Sequence, residues 1–192
     1  MRAWVAGGLV FFASGAVLVL EILAGRLLAP YVGVSLETFT GIIGVVLAGI
    51  ATGSWLGGHL ADRVDPRRLL PGTLVLGGAS AIAAVPLIRL FGAADARPGP
   101  TFIVFLAAAG FFAPSALLSA VTPLTIKIQL ASIEATGRVV GSLSALGTAG
   151  SLVGVFTTGF VLIAAFPTTP VIIALGALLV AAGVGPWMRP RR

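Results

Sequence analysis

The chain consists of six long apolar segments separated by short polar breaks. A helix needs about twenty mainly apolar residues to cross the hydrocarbon core of a bilayer, and each segment is of that length. The pattern therefore predicts an all-α integral membrane protein that forms a single six-helix domain over residues 1–192. The predicted transmembrane helices cover residues 4–28, 38–61, 69–91, 101–123, 138–165 and 169–188.

The breaks between these segments contain residues that favour turns and helix ends. Pro30–Ser35 holds proline and glycine, Asp62–Arg68 is charged, and Gly92–Pro100 reads GAADARPGP. Lys127–Gly137 is long enough for a short amphipathic surface helix, and Pro167–Pro170 predicts a tight turn. The first apolar segment is longer than the core of a signal peptide, so it is predicted as the first spanning helix.

Composition supports a membrane protein and excludes other classes. Hydrophobic residues make up 58% of the chain and charged residues 9%, and the mean hydropathy is +1.11. A soluble protein of this size could not cover its surface with so few polar groups. The net charge of +6 is spread over small groups of basic residues without interleaved aromatics, which argues against nucleic-acid binding.

Lysine and arginine favour one side of the membrane. If the N-terminus is inside, nine of the 12 lysine and arginine residues lie on the cytoplasmic side, and only Arg26, Arg89 and Arg97 lie outside. Because short cytoplasmic loops carry an excess of these residues, we expect both termini in the cytoplasm. The sequence thus predicts a multi-pass protein of the plasma (cytoplasmic) membrane.

Two parts of the chain are similar to each other. Shifted by 97 residues, the second predicted helix aligns with the fifth, and GSWLG at Gly53 aligns with GSLVG at Gly150. The shift is close to half the chain and pairs helices that run in opposite directions. This relation predicts a 3+3 inverted repeat, an arrangement that recurs in secondary transporters.

Glycines recur at intervals of about one turn on the second and fifth predicted helices. Such strips allow the backbones of membrane helices to approach closely. Two interpretations stay open: packing within one bundle, or a moving interface between two bundles of a dimer. The residues concerned are Gly49, Gly53, Gly57, Gly141, Gly150 and Gly154.

Glu21 and Arg26 are charged residues inside the first apolar segment. A carboxylate in a spanning helix is costly and faces the protein interior or a wet cavity. One interpretation is a structural ion pair of Glu21 with Arg26 or Arg89. The other is a site for a substrate or a coupling proton, with Arg26 as a partner or a substrate contact.

Signatures of enzymes are missing from the sequence. The single histidine, His59, has no metal-ligand spacing around it, and no glycine-rich phosphate loop follows a strand. We therefore expect neither a catalytic site nor a metal or other cofactor. A protein of this kind that moves solutes would be a secondary transporter or a facilitator.

The break after the second predicted helix reads GGHLADRVDPRR. It resembles the signature loop of the major facilitator superfamily, Gly-x-Leu-Ala-Asp-Arg-x-Gly-Arg-Lys, although Asp65 stands where that family has glycine. The resemblance implies a cytoplasmic gate in which Asp62 contacts the start of the fifth helix and Arg138 of a second copy. The matching residues are Gly58, Leu60, Ala61, Asp62, Arg63, Arg67 and Arg68.

Residues 21–63 and 137–163 are similar to the membrane portion of fused facilitator/spermidine-synthase-like proteins. That resemblance implies two six-helix bundles around a cavity, with helices two and five facing each other across the bundles. Six helices provide one bundle, so we expect a parallel C2 homodimer to complete twelve.

The function implied is that of a half-size secondary transporter that moves a small solute, such as an amino acid or a polyamine, by alternating access. Export is slightly favoured over uptake. One alternative is a non-transporting scaffold that anchors a separate spermidine-synthase-like enzyme. Another alternative is that the chain is one half of a transporter and forms a heterodimer with a different half-size protein.

Overall fold

The computed structural model describes residues 1–93, 99–130 and 136–185. Over these residues the fold is all-α, with six long helices, and five of them are long and apolar enough to cross a membrane. The sixth is apolar but has only 17 residues. The helices are α1 Ala3–Val32, α2 Leu36–Arg63, α3 Pro66–Gly92, α4 Pro100–Gln129, α5 Thr136–Ala165 and α6 Thr168–Val184.

The first helix is longer than predicted, because Pro30 lies inside its last turn instead of ending it. Proline in a helix removes one backbone hydrogen bond, and only two further residues follow before the helix ends. Gly33 ends α1 with a positive φ of 75°, and its N–H donates to the carbonyl of Ala29 at 3.0 Å. Ser35 then caps α2 by accepting the N–H of Thr38 at 3.1 Å.

The charged break predicted at Asp62–Arg68 is mostly helical. Only Val64 and Asp65 separate α2 from α3. The side chain of Asp65 accepts the N–H of Arg67 at 3.0 Å, and Pro66 occupies the first position of α3. An aspartate cap followed by proline is a strong start for a helix, so α3 begins before the predicted residue 69.

The fourth helix extends beyond its predicted end at residue 123 and reaches Gln129. Pro123 has no N–H to donate to the carbonyl of Ser119, four residues earlier, and a turn at Ala120 interrupts the regular geometry at this place. The predicted surface helix over Lys127–Gly137 therefore overlaps the end of α4, and residues 131–135 lie outside the described part of the chain. Residues 186–188 of the last predicted helix also lie outside it.

Two helices contain a wider, π-helical turn. These segments are Ala108–Phe112 in α4 and Thr158–Leu162 in α5. Such turns insert one extra residue into an α-helix and leave part of its backbone bonding irregular. They divide α4 and α5 into shorter stretches that need not share one axis.

Helix α1 lies at the centre of the bundle and contacts each of the other five helices. The closest pairs are α1 with α5, α2 with α4, and α3 with both α4 and α6. The core between them contains large, fully buried side chains such as Leu20, Leu74, Ile88 and Phe111. Burial is uneven: the most apolar stretch of α1 is 56% buried, whereas that of α5 is only 17% buried. One long side of α5 therefore has no neighbour among the residues that the structure describes.

Candidate functional site

Helices α2 and α4 meet along glycines of α2. A Cβ atom on Gly53 would overlap the carbonyl group of Ala116 and lie 2.7 Å from its Cα. One turn later, a Cβ on Gly57 would lie 2.8 Å from the Cα of Ala120. Ordinary Cβ contacts begin at 3.4 Å, so glycine is required for the two backbones to lie this close.

Helices α1 and α5 meet in the same way. A Cβ on Gly150 would overlap the carbonyl group of Phe11, and a Cβ on Gly154 would lie 2.6 Å from the carbonyl oxygen of Gly15. In this pair, as in α2 and α4, the contact positions on both helices rise together by four residues. Both pairs are therefore parallel and use two glycines one turn apart.

Helices α3 and α6 cross antiparallel at a pair of glycines. A Cβ on Gly176 would lie 2.7 Å from the carbonyl oxygen of Gly78, and a Cβ on Gly78 would overlap the carbonyl oxygen of Gly176. Farther along, a Cβ on Gly183 would lie 2.8 Å from the carbonyl oxygen of Pro71. The contact between Gly78 and Gly176 is reciprocal, because each glycine meets the backbone of the other.

The glycines predicted to pack helices or form a dimer interface have two different environments. Five of them are buried against their own chain: Gly49, Gly53, Gly57, Gly150 and Gly154. Gly141 is exposed, and nothing lies within 4 Å of a Cβ on it. The buried glycines close the single bundle, so any contact of α2 or α5 with a second copy requires other residues of these helices.

A second set of small residues on α2 and α5 faces away from the bundle. Exposed small residues on α2 are Gly44, Ala48 and Ala51, and those at the corresponding places on α5 are Gly141, Ala145 and Thr148. Large exposed apolar residues lie on adjacent sides of the same helices, including Leu47, Leu146, Val153 and Phe160. Small residues favour close helix contacts, whereas large apolar side chains suit lipid chains. We call the small sets the open stripes of α2 and α5.

Glu21 lies in the second half of α1 and is half-buried. Leu20, Leu23 and Ala24 beside it are buried. Within residues 1–93, 99–130 and 136–185, Glu21 makes no ion pair or hydrogen bond. A carboxylate in an apolar helix needs compensation for its lost hydration, and its neighbours on α1 do not supply it.

The two arginines proposed as partners of Glu21 bind other groups. The Nη1 atom of Arg26 donates to the carbonyl of Ile163 at 2.8 Å, near the end of α5. The Nη2 atom of Arg89 donates to the hydroxyl of Thr169 at 3.2 Å, in the first turn of α6. Neither ion pair with Glu21 forms. Arg26 instead binds a carbonyl at a helix C-terminus, where a cation is favoured.

Asp62 forms an ion pair with Lys127. The Nζ atom of Lys127 donates to Oδ1 of Asp62 at 2.6 Å, and the two side chains are 48% and 69% exposed. This contact joins the end of α2 to the end of α4. At the same end of the bundle, Nε2 of Gln129 donates to the carbonyl of Met1 at 3.2 Å. We call this the Met1 end.

The other predicted gate residues surround the same end. Gly58 lies within α2 with open space around it, and Arg63 is the last residue of α2. Arg67 and Arg68 lie in the first turn of α3, and Arg138 lies in the first turn of α5. These four arginines are exposed and form no ion pair with the described residues. They leave a positively charged rim around the Asp62–Lys127 pair.

Three hydroxyl groups are buried inside the bundle. Within the described ranges, Ser115, Thr125 and Thr158 are fully buried, and their hydroxyl oxygens have no hydrogen-bond partner. Thr158 opens the π-helical segment of α5, and Ser115 follows that of α4. A polar residue in an apolar segment is visible in the sequence, but its burial depends on the neighbouring helix.

The described residues contain no candidate metal site. Within these ranges, no group of three or more histidine, cysteine, aspartate or glutamate side chains is placed to hold a metal ion. The ring of His59 contacts that of Trp55, with centroids 4.5 Å apart and the ring planes tilted by 48°, and its Nδ1 lies 2.9 Å from the Trp55 carbonyl oxygen.

The fold and these contacts define an all-α protein with several helices suited to cross a membrane. In comparisons with protein-family models, curated proteins and solved structures, none matches the chain.

Proposed function

We propose that the chain is one half of a secondary transporter of the major facilitator type, which moves a small solute by alternating access as a homodimer. The observation that carries the transport function is Glu21, a half-buried carboxylate in a spanning helix that has no partner among the described residues. Ionisable groups of this kind within a membrane mark ion or substrate pathways. Glu21 is the proposed coupling site, and an amino acid or a polyamine is the proposed solute.

An inverted repeat is supported by the helix contacts. The two parallel, glycine-lined pairs are α2 with α4 and α1 with α5. If α1 is exchanged with α4 and α2 with α5, the first pair becomes the second. The glycines correspond at the shift of 97 residues, Gly53 with Gly150 and Gly57 with Gly154. A two-fold axis of this kind would pass between α3 and α6, where Gly78 and Gly176 meet reciprocally. Inverted repeats of three helices build each half of a facilitator.

Homodimer formation is supported by the open stripes of α2 and α5. They correspond at the same shift, since Gly44 aligns with Gly141 and Ala48 with Ala145. A C2 interface must be self-complementary, and two stripes of similar shape on one chain satisfy this when α2 of each copy lies against α5 of the other. Membrane helices associate through small residues, because lipid provides no hydrophobic drive.

In this proposal, the partner of Asp62 changes when the gate opens or closes. Within one chain, Asp62 holds Lys127, and both side chains are exposed enough for this ion pair to be weak. In the dimer, closure at the Met1 end would bring Asp62 towards the start of α5 and Arg138 of the partner subunit. Opening would return Asp62 to Lys127.

Transport is tested by the variant Glu21→Gln in proteoliposomes that contain a pH-sensitive dye. Addition of amino acids or polyamines should acidify or alkalinise the lumen with the wild type and leave it unchanged with Glu21→Gln. Glu21→Asp retains the carboxylate and should retain pH-coupled flux. If Glu21→Gln transports protons and solute as the wild type does, the coupling site is elsewhere.

The oligomeric state is tested by mass measurement in nanodiscs. The proposal expects twice the chain mass, and Gly141→Leu, which fills an open stripe, should shift the protein to the monomer. A monomeric wild type would exclude the homodimer. Co-purification of a soluble enzyme without solute flux would favour the scaffold interpretation instead.

A further inference from the structure

The described residues include four carboxylates, and only two of them have a structural partner. Asp62 binds Lys127, and Asp65 caps α3. Glu21 and Glu37 make no ion pair or hydrogen bond within the described ranges. Glu37 is exposed in the first turn of α2, where the positive end of the helix favours its charge.

Glu37 lies beside a groove between α2 and α4. The groove has a volume of about 570 Å³, which is within the range of small-molecule sites. Its lining is almost entirely apolar, and the polar side chains that line it are Glu37 and Thr40. Leu36, Val45, Pro100 and Val104 contribute walls, and small residues of α2 contribute the rest.

The groove is deep because the residues of α2 along it have small side chains or none. Gly41, Gly44 and Ala48 follow one another at intervals of three and four residues along its length, so they lie on one side of α2. Gly44 has nothing within 4 Å of a Cβ atom. A larger residue at Gly44 would therefore fill the groove without a clash with α4, whereas a Cβ on Gly41 would meet Ile103 at 2.9 Å.

We propose that this groove binds a small organic ammonium ion that carries an apolar group. The ammonium contacts the Glu37 carboxylate and the Thr40 hydroxyl, and the apolar group lies along Gly44 and Ala48. An anion is excluded by the charge of Glu37. A neutral ligand would cover the carboxylate without pairing it, which is unfavourable, and a hydrated metal ion would gain nothing from the apolar surface.

This site does not need Glu21, but Gly44 and Ala48 of the groove also belong to the open stripe of α2. In the proposed dimer α5 of the second copy would cover them, so the groove is proposed as a site of the single chain, and the mass of the nanodisc sample distinguishes a covered groove from one that does not bind. The site is tested with phenethylammonium as the probe and 2-phenylethanol as its uncharged analogue, by calorimetric titration in phosphatidylcholine nanodiscs. Wild-type protein should bind the ammonium ion saturably and the alcohol at least tenfold more weakly. Glu37→Gln should weaken ammonium binding about tenfold, equivalent to about 1.4 kcal/mol, and leave the alcohol unaffected.

Variants that fill the groove provide a second, independent test. Gly44→Val and Ala48→Leu should each abolish binding while helicity and melting temperature stay at wild-type values. Gly8→Val is the matched control, because Gly8 is an open helical glycine on α1, and it should bind normally. Glu21→Gln should also bind normally, so failure of the transport proposal is distinguishable from failure of this one.

Three results would overturn the proposal. The first is equal binding of the ammonium ion and the alcohol, and the second is wild-type affinity in Glu37→Gln or in both filling variants. The third is a lipid occupant: native mass spectrometry would then find phosphatidylethanolamine retained by the wild type and lost in Glu37→Gln, and phenethylammonium would not displace it.

Discussion

Replacing Gly53 by alanine is the most direct test of the helix contacts. The new methyl carbon would lie 2.6 Å from the carbonyl carbon of Ala116 and 2.7 Å from its Cα. Ordinary contacts of a Cβ begin at 3.4 Å, and the obstacle is backbone, which cannot rotate away. Helices α2 and α4 must therefore separate by about 1 Å at this crossing.

The expected cost follows from the packing that this separation removes. Each contact between carbon atoms contributes about 0.1–0.2 kcal/mol, and a gap of about 0.5–1 Å forfeits about a quarter to a half of it. For about fifty atom pairs at the crossing, the loss is about 3 kcal/mol. Alanine regains about 1 kcal/mol through its higher helix propensity, so the net destabilisation is about 2 kcal/mol, or about thirtyfold in the unfolding equilibrium.

The assay is reversible unfolding in mixed dodecyl maltoside and dodecyl sulfate micelles, followed by circular dichroism. Gly8→Ala is the control, because nothing lies within 4 Å of a Cβ on Gly8, and it should be neutral or slightly stabilising. Gly150→Ala should match Gly53→Ala, since its methyl group meets the backbone of Phe11 in the equivalent way.

Equal stability of Gly53→Ala and Gly8→Ala would refute this reasoning. It would mean that α2 and α4 are not in backbone contact at this crossing. A large effect in Gly53→Ala with none in Gly150→Ala would refute only the equivalence of the two helix pairs.

Three further predictions concern single side-chain contacts. Arg26→Gln weakens the bond to the Ile163 carbonyl, so we expect a loss of about 1 kcal/mol of stability and faster hydrogen exchange at the end of α5; unchanged exchange would contradict the capping role. Thr158→Val replaces a buried, unpartnered hydroxyl by a methyl group and should stabilise the fold by about 1 kcal/mol in the same micelle assay, whereas destabilisation would reveal a partner. Asp62→Asn breaks an exposed ion pair and should leave the melting temperature unchanged in low and high salt, while Lys127 becomes more reactive towards amine-acylating reagents; an unaltered rate would contradict the ion pair.

The length of the apolar segments was sufficient to predict six helices, but not where each one ends. Pro30 was placed in the break after the first helix, and the fourth helix was predicted to end at residue 123, but Pro30 and Pro123 both lie inside helices. A proline disturbs only the turn before it, and packing of that turn on neighbouring helices decides whether the helix continues. The cap formed by Asp65 and Pro66 has a local signature, so the start of α3 at Pro66 could have been predicted from the sequence, although the helix was predicted to begin at residue 69.

The candidate site was predictable only where a residue is unusual for its segment. Glu21 stands out as a carboxylate in an apolar helix, and the structure gives it no partner among the described residues. The pairing of Asp62 with Lys127 was not predictable, because it depends on the extension of α4. The division of the glycines between buried and open sides of α2 and α5 likewise depends on which helices are neighbours.

The short α6 has a consequence for the surrounding lipid. Its 17 residues span about 26 Å at 1.5 Å per residue, about 4 Å less than a typical hydrocarbon core. Helix α3, against which it packs, has 27 residues and spans about 40 Å. Because α3 and α6 differ in length, a bilayer around them would have to become thinner next to α6, at a cost of a fraction of a kcal/mol per Å. The energy of the surrounding bilayer therefore depends on its thickness on the α6 side of the protein, and a thin bilayer fits α6 with the least deformation.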